Sequence, residues 1–154
     1  MRIGIVLPAV PAYSETFFRS KIEGLVGQGH TVYLFVNGST VQSDFCGAQV
    51  ISGFSTHGNV LKVTIHAFAT LLRLVTLHFS SLWKFLQLER KEGKRGLALI
   101  QAVLVNSSLL QFRLDWVHFG FGTMALGKEN VAEAIGARMA VSFRGFDIAI
   151  YPLK

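Results

Sequence analysis

The stretch RIGIVLPAVPAYSETFF, at residues 2–18, sets out a strand, a turn and the start of a helix in succession. Arg2–Leu7 is rich in β-branched and aliphatic residues and is followed by a proline, which cannot donate to a sheet. Ser14 is the predicted N-cap of the following helix, because its hydroxyl can accept a free backbone N–H. Glu15 suits the positive end of the helix dipole. The stretch therefore predicts the first βα unit of a layered domain.

The rest of the chain continues this alternation. Further strands are predicted at Thr31–Val36 (TVYLFV), Gln49–Ile51, Asp115–Phe119 and Arg138–Phe143, with helices at about 59–91, 96–111 and Thr123–Ile135. Such a pattern is typical of an α/β domain with a doubly wound, mainly parallel, Rossmann-like sheet. Ligands of these sheets bind beyond the carboxyl ends of the strands, so function is expected in the loops at residues 8–16, 118–123 and 144–147.

Length and composition limit the class of protein. The chain has 154 residues, 51% of them hydrophobic and 16% charged, which fits one folded domain and excludes intrinsic disorder. A lone Cys46 cannot form an internal disulfide and has no companion residues at zinc spacing. The apolar run at the N-terminus is too short for a signal peptide. A reducing, cytoplasmic setting is therefore predicted.

The net charge of +6 is concentrated in the middle of the chain, where residues 58–114 carry eight basic and two acidic side chains. Polar residues in this apolar segment recur at helical spacing and predict one narrow polar stripe, made of Lys62, His66, Thr70, Arg73, Ser80, Lys84, Gln87 and Lys91. A helix with so narrow a stripe is expected to be buried on most of its circumference, by the domain core, by another chain or by the headgroup region of a membrane. Arg73 and Lys84 interrupt the segment, so it is not predicted to span a membrane.

Three interpretations of this basic, apolar segment remain open. The first is a core helix with one solvated edge. The second is peripheral attachment to anionic lipid, favoured by the basic cluster Arg90, Lys91, Lys94 and Arg95 with Trp83 and Phe85 nearby. Nucleic-acid binding, the third, is disfavoured because the aromatic and glycine pattern of an RNA-binding sheet is missing.

Several enzyme signatures do not occur in the sequence. The first βα turn, LPAVPAYSET, contains neither G-x-G-x-x-G nor a P-loop, which disfavours a nicotinamide dehydrogenase and an ATPase. There is also no G-x-S-x-G nucleophile elbow, which disfavours an α/β-hydrolase.

Four segments carry a resemblance to a known family. They are PAYSETFF at residues 11–18, GHTV at 29–32, DWVHFGFG at 115–122 and SFRGFDI at 142–148. Together, and in this order, they resemble the N-terminal half of a family 4 glycosyltransferase. The resemblance implies a GT-B architecture, in which two Rossmann-like domains face each other across a cleft. Residues 1–154 would be the single acceptor-side domain, with the donor-side domain absent from this chain.

The resemblance also implies an activity. Similar enzymes transfer a sugar, with retention, from a nucleotide-diphosphate sugar to a glycan or lipid-linked acceptor, as in polysaccharide biosynthesis. The protein supplies mainly orientation and charge stabilisation, and no metal or other cofactor is implied. Because orientation of the substrates and stabilisation of charge both depend on closure of two domains, the isolated chain is expected to be inactive. The partners that the resemblance implies are the sugar donor, the acceptor and the missing domain, with no nucleic acid. The basic, apolar segment adds an anionic membrane surface as a candidate partner, and lipid attachment would place a cytoplasmic chain peripherally at the inner face of the membrane.

The roles of the family's site residues are transferred only to positions of this sequence that match the family's motifs. His118 is the catalytic candidate, facing the transferred sugar or acceptor. Substrate-binding roles fall to Ser14, Glu15, Thr16, Gly120, Gly122, Arg144, Gly145 and Asp147. Arg144 replaces the histidine of the family's H-G-x-D segment, and a guanidinium can bind a diphosphate but cannot act as a base at pH 7.

Two other functions remain open beside the glycosyltransferase. One is a non-catalytic membrane-docking or partner-binding module that keeps the fold. The other is an unrelated Rossmann-like nucleotide-binding domain, which nucleotide binding by the isolated chain would favour.

Overall fold

The computed structural model describes residues 1–12, 16–37, 40–55 and 58–143. The strands are β1 (Arg2–Leu7), β2 (Thr31–Val36), β3 (Asp44–Phe45), β4 (Ala48–Ser52), β5 (Trp116–Phe119) and β6 (Arg138–Val141). The helices are α1 (Thr16–Gly27), α2 (Val60–Leu77), α3 (Phe79–Lys91), α4 (Gly96–Leu110) and α5 (Val131–Ile135), with a 3-10 turn at Gly122–Met124.

The strands form one six-stranded sheet in the order β3-β4-β2-β1-β5-β6. All neighbours pair in parallel except β3 and β4, which form an antiparallel hairpin. The α/β class and the mainly parallel sheet are therefore confirmed. The chain order reverses direction between β1 and β5, so the carboxyl ends of these two strands flank the topological switch point.

Helices cover both faces of the sheet. On one face, Phe18 and Ile22 of α1 pack with the alternate residues Ile3, Ile5 and Leu7 of β1. On the other face, residues of α2, α3, α4 and α5 pack against the opposite side of β1, β2 and β5, among them Leu74, Phe85, Val103, Leu109 and Val131. The period-2 alternation of β1 thus supplies both layers of the core.

The predicted helix over 59–91 is wrong as one element. His78, with φ −130° and ψ 32°, ends α2, and α3 begins at the next residue. Neither glycine nor proline marks this break in the sequence. It arises from packing, because α3 buries Leu82 and Phe85 against the neighbouring helices while α2 buries only Leu74.

Three smaller expectations are also corrected. The helix predicted over Thr123–Ile135 is a 3-10 turn followed by α5, because Gly127 takes a left-handed conformation (φ 70°) that interrupts the helix. The loop before β4 contains β3, which a two-residue turn joins to it. The last strand ends at Val141 rather than Phe143.

The core-helix interpretation of the basic, apolar segment is wrong for α2, because the described part of the domain core leaves most of this helix uncovered. Most of its large apolar residues are exposed, Leu71 is half-buried against the core, and Leu74 alone is fully buried among its 18 residues. In α3, Phe85 lies in the core and Trp83 is exposed. By length and composition only, α2 could cross a membrane.

Candidate functional site

The residues predicted from the motifs lie around the switch point, as far as the structure describes them. Thr16 is the first residue of α1, and Gly120 follows β5 directly. Gly122 begins the 3-10 turn. Ser14, Glu15, Arg144, Gly145 and Asp147 lie outside the described residues.

Gly120 is in close contact with neighbouring elements. Its N–H donates to the Val6 carbonyl at 3.0 Å, which ties the loop after β5 to the end of β1. A Cβ at this position would overlap with Cδ2 of Leu7 and would lie 3.0 Å from the Phe18 ring. The space that glycine leaves is therefore filled by protein atoms, and approach of a ligand to this backbone stays a prediction.

His118 occupies the next-to-last position of β5 and points to the α1 face of the sheet, with 8% of its surface exposed. Its Nδ1 lies 3.0 Å from Nζ of Lys21, and its Nε2 lies 2.8 Å from Oγ of Ser142. Nζ of Lys21 also lies 3.3 Å from Nε2, and an ammonium can only donate, so the ring nitrogen that binds Lys21 is the acceptor. His118 is thus held between α1 and the residue after β6.

This geometry predicts a structural cost for His118→Ala. If His118 served only to contact a ligand, its replacement by alanine would lower the free energy of unfolding by less than about 1 kcal/mol. Loss of two partly buried hydrogen bonds should instead lower the free energy of unfolding by about 2 kcal/mol. Denaturant unfolding of wild type, His118→Ala and the control Gln28→Ala, at an exposed polar position, measures the difference. A loss equal to that of the control would contradict a structural role.

A cleft lies on the opposite face, at the carboxyl ends of β1, β2 and β4, and we call it the edge cleft. It consists of two adjoining hollows of about 310 and 410 Å³ that share Gly53, Phe54 and Ser108. The smaller one is also lined by Asn37 and Lys128, and the larger one by His66, Arg73 and Gln111. His118 does not line the edge cleft; it borders a separate shallow depression on the α1 face.

Lys128 is the cationic group of the smaller hollow. Burial lowers the pKa of this lysine from its ordinary value of 10.5, and the nearby Glu129 opposes the shift. The segment around it is fixed from two sides. Nδ2 of the buried Asn106 donates to the Gly127 carbonyl at 3.0 Å, and Nδ2 of Asn130 donates to the buried Glu89 at 2.9 Å.

The edge cleft has the chemistry of a binding site. A partly buried ammonium favours an anionic group, and the Ser108 hydroxyl and the Asn37 amide can bond to ligand hydroxyls. Among the described residues, no group of three His, Cys, Asp or Glu side chains could hold a metal ion. The motifs did not indicate Lys128, because it lies between two predicted motif segments in a stretch that was predicted to be an ordinary helix.

The chain was also compared with protein-family models, with curated proteins and with solved structures, and none of them matches it. The resemblance to family 4 glycosyltransferases therefore rests on the four sequence segments alone.

Proposed function

We propose that this chain is the acceptor-side domain of a retaining, family 4-like glycosyltransferase. In this proposal the chain binds a glycan or lipid-linked acceptor and presents it to a nucleotide-diphosphate sugar, which a donor-side domain holds. The enzyme class is hexosyltransferase-like, and catalysis requires both domains.

One observation carries the proposal: two of the four matching segments belong to β1–α1 and β5, the elements that flank the switch point. An α/β sheet binds its ligand at that point. The mainly parallel, six-stranded sheet is compatible with one half of a GT-B protein. His118 keeps its catalytic assignment as a prediction, although its ring nitrogens are engaged by Lys21 and Ser142.

The edge cleft supports an acceptor that carries a negative charge. Lys128 would bind a phosphate or carboxylate of the acceptor, while Ser108 and Asn37 would orient its hydroxyl groups. These residues contribute binding and orientation, which is the share of catalysis that an acceptor-side domain supplies.

Ligand-observed NMR on the purified chain tests the proposed function. The probes are neutral oligosaccharides, sugar phosphates, prenyl-diphosphate-linked sugars and nucleotide-diphosphate sugars. Saturable binding of a sugar acceptor, with weak binding of the nucleotide sugars, is the expected result. Tight nucleotide binding with no carbohydrate binding would overturn the proposal and favour a nucleotide-binding module.

Replacement of Lys128 tests the anionic part of the acceptor. Lys128→Met should weaken binding of a sugar phosphate at least tenfold, since a charge-assisted hydrogen bond contributes about 1.5–3 kcal/mol, and Lys128→Arg should retain most of it. The Met variant should fold at least as stably, because a buried charge is removed. Because the pKa of Lys128 is lowered, wild-type binding should decline with rising pH before pH 10.5 is reached. Equal titrations for wild type and Lys128→Met would exclude this lysine from the site.

A further inference from the structure

The outer face of α2 is an apolar stripe with no covering element among the described residues. Leu61, Ile65, Phe68, Leu72 and Val75 are between 51% and 70% exposed, and we call these five residues the α2 stripe. They recur at steps of four, three, four and three residues, so they fall within an arc of about 80° on the helix. Leu74, the buried residue of α2, lies about 140° from the centre of this arc.

The cations of α2 flank this stripe on one side. Lys62 and Arg73 are both exposed and are 11 residues apart, which places them within about 20° of each other. They lie about 100–120° from the centre of the stripe. If the stripe faces into an apolar phase, the side chains of Lys62 and Arg73 lie at the boundary between that phase and water. Long cationic side chains can reach phosphate groups there.

The polar groups nearest the stripe are internally satisfied. Thr64 and Thr76 lie on its two borders, and their hydroxyls donate to the Val60 and Leu72 carbonyls at 2.9 Å. Asn59 caps the N-terminus by accepting from the Leu61 N–H at 3.1 Å. Burial of this face in an apolar phase therefore leaves few unpaired groups, which is what makes such burial affordable for a helix.

The next helix continues the pattern. Phe79, Trp83 and Arg90 share one face of α3, and the rings of Phe79 and Trp83 stack at 6.1 Å. All three side chains are exposed. An exposed tryptophan with an arginine two turns away is an arrangement suited to a lipid headgroup region.

We infer that α2 docks the protein on an anionic membrane, lying in the plane of the surface with the α2 stripe in the acyl boundary. The charge of the surrounding segment favours an anionic membrane over a second copy of the chain as the partner that covers the stripe. Residues 58–114 carry eight basic and two acidic side chains, and one of the acids, Glu89, is buried and paired with Lys94. A symmetric dimer through the same face would bring two basic segments together, whereas anionic headgroups neutralise them.

The in-plane orientation follows from the same geometry. In a spanning helix, Arg73 would lie four residues inside the C-terminal end of α2, where its charge would have to extend out of the hydrocarbon. In the interface plane, a strong apolar face with cations on its border is the arrangement of a peripheral amphipathic helix. The inference does not rest on the proposed glycosyl transfer, since none of the five residues of the α2 stripe lines the edge cleft; Arg73 borders both surfaces.

Vesicle flotation of the full chain tests this inference. Binding to phosphatidylcholine–phosphatidylglycerol vesicles should exceed binding to phosphatidylcholine vesicles and should weaken as salt is added. Ile65→Gln with Leu72→Gln should reduce the partition at least tenfold, because two apolar side chains no longer leave water. Val41→Gln with Leu126→Gln, at exposed apolar positions elsewhere, is the matched control and should bind as wild type does.

Removal of charge is the second arm of the test. Lys62→Gln with Arg73→Gln should lower binding to the anionic vesicles about fivefold per cation. Arg2→Gln with Arg19→Gln removes the same charge from exposed positions outside the segment and should have a much smaller effect. All eight substituted positions are exposed, so circular dichroism should report folded variants.

Four results would overturn the inference. One is salt-insensitive binding that is equal on both kinds of vesicle, and another is absence of binding to either. The third is sedimentation as a dimer that Ile65→Gln with Leu72→Gln dissociates, since a second copy would then cover the stripe. Retention in the membrane after alkaline extraction would likewise replace docking with a spanning helix.

Discussion

Lys94→Met should lower the free energy of unfolding by about 3 kcal/mol, at the low end of the range for broken buried ion pairs because a third of the Lys94 side chain is exposed. Its Nζ lies 2.5 Å from Oε2 of Glu89, whose side chain is 0% exposed. Without the lysine, Glu89 keeps only the amide of Asn130 among the partners described above. Urea unfolding of the purified variant measures the loss.

Lys91→Met is the matched control. Lys91 is an exposed lysine at the end of α3, and its replacement should change stability by less than about 0.5 kcal/mol. The double variant Glu89→Gln with Lys94→Met should recover much of the loss, because no buried charge is then left without its partner. Equal stabilities of Lys94→Met and Lys91→Met would contradict the pairing.

The hydrogen bond to Glu89 raises the pKa of Lys94 above its ordinary 10.5. For a lysine whose pKa is raised on folding, the added stability is fully present below pH 10.5 and is lost as the pH rises through the folded-state pKa. The difference between wild type and Lys94→Met should therefore be constant near neutral pH and shrink above pH 10.5.

This ion pair also bears on the edge cleft. Glu89 binds Asn130, two residues after Lys128, so the pair helps hold the segment that places the cation in the cleft. Hydrogen exchange in residues 127–131 should accelerate in Lys94→Met, and sugar-phosphate binding should weaken with it. Lys94 belongs to the basic cluster predicted to bind anionic lipid, but it is paired with Glu89, so a charge test of membrane docking has to leave Lys94 in place.

Elements defined by local chemistry were predictable from the sequence. Arg2–Leu7 and Thr31–Val36 match β1 and β2 in full, because runs of β-branched and aromatic residues favour buried parallel strands. The mainly parallel sheet followed from the alternation of strands with helices. The antiparallel strand β3 was not predicted, because two residues are too few to show a strand pattern in the sequence.

Elements decided by packing were not predictable. His78 looks like any residue within an apolar helix, and only the competition of α2 and α3 for the core breaks the chain there. The orientation of α2 has the same cause. Its apolar periodicity is that of a core helix, but the core is filled by other elements, and the α2 stripe is left outside.

In the candidate site, too, the residues that a local motif marks were predictable, and those that only packing brings together were not. Motifs identified His118 and Gly120 by residue type and position, but the hydrogen bonds of His118 to Lys21 and Ser142 join residues far apart in sequence. Lys128 and Asn106 carry no motif at all. Their role follows from three-dimensional proximity, which a single sequence does not encode in any local pattern.

Gly120→Ala should be among the most destabilising single substitutions at the switch point, with a loss of about 3 kcal/mol, at the upper end of the range for overpacking. The added Cβ would overlap with Leu7 and lie 3.0 Å from Phe18, and both are buried core residues, so neither can move aside freely. Gly24→Ala is the control. It lies in α1 with open space around its Cα, and alanine should stabilise the helix there by up to about 1 kcal/mol.

A second substitution separates packing from ligand contact at Gly120. Leu7→Ala removes the atom that the new methyl group would meet, so Gly120→Ala should cost much less in that background than in wild type, a coupling that thermal unfolding of the four proteins measures. If the two substitutions were additive, the methyl group would be accommodated without contact to Leu7. Glycine at 120 would then serve the approach of a ligand, as the family resemblance implies, rather than the joining of β5 to β1.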